Sequence, residues 1–280
     1  MFVLARPRRF SIVSSSINRR CPRLYERQNP LDPIIIIALS LFAVVVGILI
    51  GSVGIGGVLL VPFLTYVTGL NIHTAIAAAM FGYLFAGIVG AIFYARHGSI
   101  EWSMASWLLA GAMPGALIGA LGAIYTPGEG LEFVIAVLVF IAGINALRRR
   151  KIKVDPRKIS NPFLLFGLGV IIGVGSAMTG TGGPLFTVPI MVSLKVPAHT
   201  AVGLSQAVQA PMASLATVGN FWYGHVDIVT SAILSAGLVI GVAAGAKIAH
   251  VFSPSIMSSI VAWILIAVGI FLIIRLAMSL

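Results

Sequence analysis

The residues best suited to chemistry sit in two short stretches, "GSVGIGG" at 51–57 and "SAMTGTGG" at 176–183, each of which interrupts an apolar run. A backbone N–H or C=O without a partner in hydrocarbon costs several kcal/mol, so chain that leaves a helix at membrane depth needs protein, water or a ligand to pair it. Pro184 follows the second stretch directly and suits the first position of a new helix, where its missing N–H is no loss. The glycines permit unusual dihedrals and close approach. The free N–H groups and positive dipole end of that new helix would face the break, which suits an anion. Gly54, Gly56 and Gly57 in the first stretch, and Thr179, Thr181, Gly182 and Gly183 in the second, are therefore the candidate substrate-binding residues. Gln206 and Gln209, three apart on one helical face, join them. Ser176, Thr187, Ser205 and Asn220 add polarity to the same half, so the substrate is expected to be held mainly there. The competing reading of the glycines is simple close packing of helices.

His73 and His199 occupy matching positions after the two breaks, each followed by a threonine that can cap the next helix. They read either as ordinary helix-start hydrogen bonders or as groups that titrate near neutrality beside the anion, giving counter-charge or a coupling proton. No carboxylate falls inside an expected span, so a proton relay has few other candidates. Other chemistries lack their residues. Cys21 is the only cysteine, and neither a GxSxG nor an HExxH pattern occurs, so no enzyme, metal site or cofactor is expected. The glycines do not follow a strand, as a dinucleotide site requires.

The elements that must position these groups are membrane helices. Of 280 residues, 59% are hydrophobic and 9% charged, too little polar surface for a soluble domain of this size. Several runs are long enough to cross a core of roughly 30 Å. The net charge of +11 does not indicate nucleic acid, because no aromatic residues are interleaved with the basic ones. Seven arginines lie in the first 27 residues and seven basic residues between Arg148 and Lys158, at the ends of apolar segments. That is the pattern of a cytoplasmic face, with the lipid bilayer as partner. The arginine- and serine-rich start also resembles an organellar transit peptide, the lesser reading.

The chain repeats itself at an offset of 126 residues. Gly54, Gly56 and Gly57 fall on Gly180, Gly182 and Gly183, His73-Thr74-Ala75 on His199-Thr200-Ala201, and Gly111, Gly115 and Gly119 on Gly237, Gly241 and Gly245. The last two sets, spaced by four, read as helix-packing faces. The expected fold is an all-α membrane protein of two tandem homologous repeats, with about 8 transmembrane helices and two short re-entrant half-helices. Helices are expected near 33–53, 58–69, 73–95, 102–125 and 131–147, then 162–178, 184–195, 199–222, 227–250 and 255–276. The division is a basic N-terminal tail 1–32, membrane repeat 33–148, basic cytoplasmic linker 149–161 and membrane repeat 162–280. Placing both basic clusters on one face favours parallel repeats; a hairpin of the first long helix with its half-helix would instead make them inverted.

The motifs "GIGGVLLVP" and "GTGGPLFTVP", the "HTA" after each, and the "HGSIEW" and "GHVDI" loops are similar to those of the TauE/SafE sulfite exporter family. The resemblance covers about residues 33–276. It implies a polytopic permease that moves small sulfur-containing anions such as sulfite or organosulfonates outward across the bacterial inner membrane. The first motif has one residue fewer between its glycines and its proline, which separates the geometry of the two breaks. The expected function is thus a secondary transporter of a small anion, with a passive anion channel or a permease for another small anion as the alternative. Assembly into a homo-oligomer is left open.

Overall fold

The computed structural model of the chain describes residues 33–54, 56–148, 159–223, 226–251, 263, 266–271 and 273–274. The basic tail, most of the linker and most of the last expected helix lie outside the described residues. Among the described residues all regular structure is helical. It comprises α1 (Pro33–Val53), a 3-10 turn (Gly57–Leu59) leading into α2 (Leu60–Val67), α3 (Ile72–Arg96), α4 (Trp102–Tyr125) and α5 (Gly128–Arg148), then α6 (Pro162–Thr179), α7 (Pro184–Ser193), α8 (Ala198–Tyr223) and α9 (Ile228–Val251). Five of these, α1, α3, α4, α6 and most of α9, are long and apolar enough to cross a membrane. On α1 the exposed Ile34, Ile37, Leu41 and Val45 form one stripe, and the buried Leu39, Ala43, Val46 and Ile50 form the other. α8, with 26 residues, has the length to cross but carries Ser205, Gln206, Gln209 and Asn220, all buried.

Two helix starts differ from expectation. The N-cap of α3 is Asn71, whose side chain accepts from the His73 N–H, so the helix begins before the histidine and Thr74 caps nothing. α5 begins at Gly128, three residues before the expected start, which adds Glu129 to the helix that already held Glu132.

Small residues hold the bundle together. A Cβ placed on Gly111, Gly115 or Gly119 of α4 would strike the carbonyls of Phe166, Val170 or Val174 on α6. A Cβ on Gly241 or Gly245 of α9 would likewise strike the carbonyls of Val44 or Ile48 on α1, and one on Gly237 would come 2.6 Å from Ala43 Cβ. Both are glycine-to-backbone contacts of the kind small-residue stripes permit. The order of these pairs makes α4 parallel to α6 and α1 parallel to α9.

The repeats are not parallel. α3 and α8, which correspond at the 126 offset, meet through Gly87 with Ala210, Gly90 with Gln206, and Ser99 with Gly203. One number rises as the other falls, so the two helices run in opposite directions. Phe42 of α1 stacks on Phe63 of α2, with ring centroids 3.8 Å apart and planes at 8°, so α2 doubles back along α1. The expectation of parallel repeats sharing one cytoplasmic face with the linker is therefore corrected to an inverted arrangement. It rested on putting both basic clusters on one side, and backbone direction overrides that count. α1, α3, α5 and α9 begin on a first face, since Gly128 at the start of α5 lies by Ile72 at the start of α3. They end on a second face, from which α4, α6 and α8 start.

Candidate functional site

The two breaks are built alike at their first step. α6 ends in a left-handed Gly180 (φ 65°) whose N–H returns to Ser176 O. α1 ends at Gly54 (φ +72°), whose N–H returns to Ile50 O at 3.0 Å. These left-handed caps are the conformation glycine adopts at no steric cost. Beyond the caps the breaks diverge. Gly182 is left-handed again (φ +75°) and Pro184 opens α7, whereas the first break passes through extended Gly56 into a 3-10 turn. The one-residue difference between the motifs shows itself here.

The breaks meet. A Cβ on Gly57 would lie against the Thr181 carbonyl and 2.8 Å from Tyr83 Oη. One on Gly54 would lie 2.8 Å from Val188 Cγ2, and one on Gly180 2.8 Å from Val61 Cγ2. Each break thus abuts the other half's short helix, and the first turns of α2 and α7 come to the same buried place. Gly182 lies against the Tyr83 ring and Gly183 beside the backbone of Ser205 and Gln209. Nine of the candidate residues, Gly54, Gly56, Gly57, Thr179, Thr181, Gly182, Gly183, Gln206 and Gln209, therefore fall in or against one cluster.

The side chains in this cluster are occupied with the opened backbone. Gln206 Nε2 donates to Ile50 O (3.1 Å), Gln209 Nε2 to Tyr83 O (3.4 Å), Tyr83 Oη to Gly57 O (2.7 Å) and Tyr94 Oη to Gly51 O (2.8 Å). Thr179 Oγ1 donates to Gly175 O (2.6 Å), so in its 3.0 Å contact with Thr181 Oγ1 it accepts. Thr187 Oγ1 donates to Gly183 O (2.8 Å) and Ser205 Oγ to Val202 O (2.7 Å). Several of these carbonyls also keep a backbone partner, as Ile50 O does from Gly54 N–H, Gly57 O from Leu60 N–H and Gly183 O from Thr187 N–H, so these side chains add second bonds to them. These bonds use the hydroxyl hydrogens of the threonines and one of the two amide hydrogens of each glutamine. What remains for an anion is the second amide hydrogen of each glutamine and the main chain, because the first N–H groups of a helix have no intrahelical partner. Ser176 Oγ, fully buried in the last turn of α6, has no hydrogen-bond partner.

Two participants, Tyr83 and Tyr94, were not named in the sequence reading, and Ser176 was named there only as adding polarity to the second half. The repeat held a signal for the tyrosines, since Tyr83 aligns with Gln209 and Tyr94 with Asn220. The bond from Gln209 to Tyr83 O joins two equivalent positions, 126 residues apart. The histidines are not in the cluster. His73 is half-buried in the first turn of α3 and His199 exposed in the first turn of α8. Each is ten residues, about 15 Å of helix rise, from Tyr83 or Gln209. They stand on opposite faces of the bundle.

A family model described as sulfite exporter TauE/SafE matches residues 32–272. The chain belongs to this family. It is a multi-pass membrane protein and a membrane transporter. The chain is 27% identical to the probable membrane transporter protein YdhB of Bacillus subtilis, over 76% of this chain and 90% of that one. It is 24% identical to the probable membrane transporter protein YjnA of the same organism, over 85% and 99%. A probable membrane transporter protein of Methanocaldococcus jannaschii is 26% identical, over 81% and 91%. No solved structure matches the chain.

Proposed function

We propose that this TauE/SafE member is a secondary transporter that exports small sulfur-containing anions such as sulfite or organosulfonates across the inner membrane. The observation that carries the reading is the meeting of the two breaks, where Gly57 abuts the Thr181 carbonyl and the N-terminal ends of two short helices converge. Two positive helix ends at one buried point repel each other unless negative charge lies between them. An anion held there by main-chain N–H groups, with Ser176 Oγ in reach of the second break, supplies it. On this reading α2 and α7 are re-entrant, the two halves 33–148 and 162–280 are inverted repeats, and their relative movement opens the site to either side. His73 and His199, one at each face, give counter-charge to an anion entering or leaving.

Charge assigns the faces. Among the described residues Arg96, Arg148, Lys195 and Lys247 lie at the second face with Glu101, and Glu129, Glu132 and Asp227 at the first. The basic linker also adjoins the second face, and we take these over the seven arginines that precede α1 at the first, which makes the second face cytoplasmic.

The test is efflux from proteoliposomes preloaded with labelled sulfite, sulfoacetate or sulfate, with and without a pH gradient. Concentrative movement of one sulfur anion is expected. Movement that only dissipates a gradient would make the protein a channel, and no movement of any of the three would remove the substrate assignment.

A further inference from the structure

The half-helix α2 has a second polar attachment, at the end remote from the break. Tyr66 Oη donates to Glu132 Oε2 at 3.1 Å. The pair lies in a cleft between α2, the start of α3 and α5, lined also by Val61, Thr65 and Ile72. Thr65 Oγ1 is buried there without a hydrogen-bond partner. Glu132 is half-buried in the second turn of α5, at the first face. The groups around it are Tyr66 and Thr65 from α2, Ile72 from α3, which the half-buried His73 follows in sequence, Glu129 from α5 itself, and Phe271, whose ring meets Tyr66 edge-on at 6.4 Å. No cation among the described residues faces it.

We propose that Glu132 is a positioning residue for transport: its proton state, set by the water at the first face, controls how firmly α2 is docked. A hydrogen bond to a carboxylate is roughly twice as strong as one to a neutral acceptor, so a proton arriving from water onto Glu132 weakens its hold on Tyr66. When the proton returns to water the hold is restored. The position of α2 matters to the break because Val61, which lines this cleft, also packs against Gly180, and Tyr83 holds Gly57 O at the other end of the same short element. This inference rests on the transporter reading above.

Hydrogen exchange of the 60–67 amides in the purified full-length protein tests it independently of substrate. Taking the ratio of Glu132→Gln to wild type at each pH cancels the intrinsic chemistry of exchange. The ratio is expected to be about three- to tenfold while Glu132 carries its charge and to fall toward unity as acid protonates it. Tyr66→Phe, which removes the bond, should give an elevation at least as large, and the double variant no more than Tyr66→Phe alone. A ratio that is flat with pH, or additive effects in the double variant, overturns the proposal. In proteoliposomes, counterflow of labelled sulfite should persist in Glu132→Gln while its dependence on the pH of the first face is lost. If wild type moves no sulfite, the substrate reading fails, and the exchange ratios still decide the role of Glu132.

Discussion

Replacing Gly57 with alanine tests whether the two breaks touch as closely as the structure shows. Gly57 does not have a left-handed φ, so alanine meets no backbone strain of its own and any effect comes from its surroundings. The new methyl would overlap the Thr181 carbonyl and come 2.8 Å from Tyr83 Oη. Ordinary carbon–oxygen contact begins above 3 Å, so the halves must separate by the better part of an ångström. Part of the bond from Tyr83 to Gly57 O is lost with that movement. Overpacking of this kind costs about 1–3 kcal/mol, and the weakened buried bond adds about 1 kcal/mol. For a chain of this size that is a fall of roughly 4–15 °C in melting temperature. A displacement approaching 1 Å at a binding site lowers its efficiency by tenfold or more, here read as anion efflux from proteoliposomes. The control is Gly122→Ala, where nothing lies within 4 Å and a helical alanine should hold or slightly raise stability. Should Gly57→Ala match Gly122→Ala in melting temperature and efflux, the contact between the breaks is wrong.

Tyr83→Phe removes one of the two donors to Gly57 O, leaving the Leu60 N–H, and should cost about 0.5–1.5 kcal/mol, measured by thermal unfolding in detergent. Gly115→Ala and Gly241→Ala press on equivalent interfaces, against Val170 O and Val44 O, and should destabilise by about 1–3 kcal/mol each and by similar amounts. Reporters inserted in the 97–101 connection should read cytoplasmic and those at 126–127 external; the reverse would overturn the charge assignment of the faces.

Much of this was legible in the sequence because it depends on period and on glycine. The paired short helices, their preceding breaks and the two glycine stripes each follow from local residue type, and the structure places all of them within a few residues of expectation. Direction was not legible. The positive-inside count used two clusters, at 1–27 and 148–158, yet the antiparallel crossing of α3 and α8 puts the starts of α1 and α6 on opposite faces. A charge count fixes faces only when the number of crossings is known, and the fold-back of α2 changes that number. The partners of Gln206 and Gln209 were also hidden, since hydrogen bonds to Ile50 O and Tyr83 O join positions 156 and 126 residues apart. Polar type showed that these glutamines are buried for a reason without showing that the reason is the backbone of a break.

That accounting bears on selectivity. With one amide hydrogen each of Gln206 and Gln209 and the hydroxyl hydrogen of Thr179 already donated within the protein, main-chain N–H groups, Ser176 and the second amide hydrogen of each glutamine are what the cluster offers an anion. Such donors read charge and shape but not the identity of the group behind the oxygens. Discrimination between a small oxyanion and one with an organic tail must then come from the space between the breaks, which Tyr83 bounds. Gly182→Ala tests this, because its Cβ would sit 3.3 Å from the Tyr83 ring and narrow that space by a few tenths of an ångström. Its positive φ adds strain of about 1–2 kcal/mol, which lowers the amount of folded protein equally for every substrate. The ratio of efflux rates, sulfite to sulfoacetate, removes that common factor. It should rise severalfold in the variant, as about 1 kcal/mol of differential crowding requires. An unchanged ratio in folded Gly182→Ala would mean that the larger anion does not pass between Gly182 and Tyr83, and that selectivity is set elsewhere along the path.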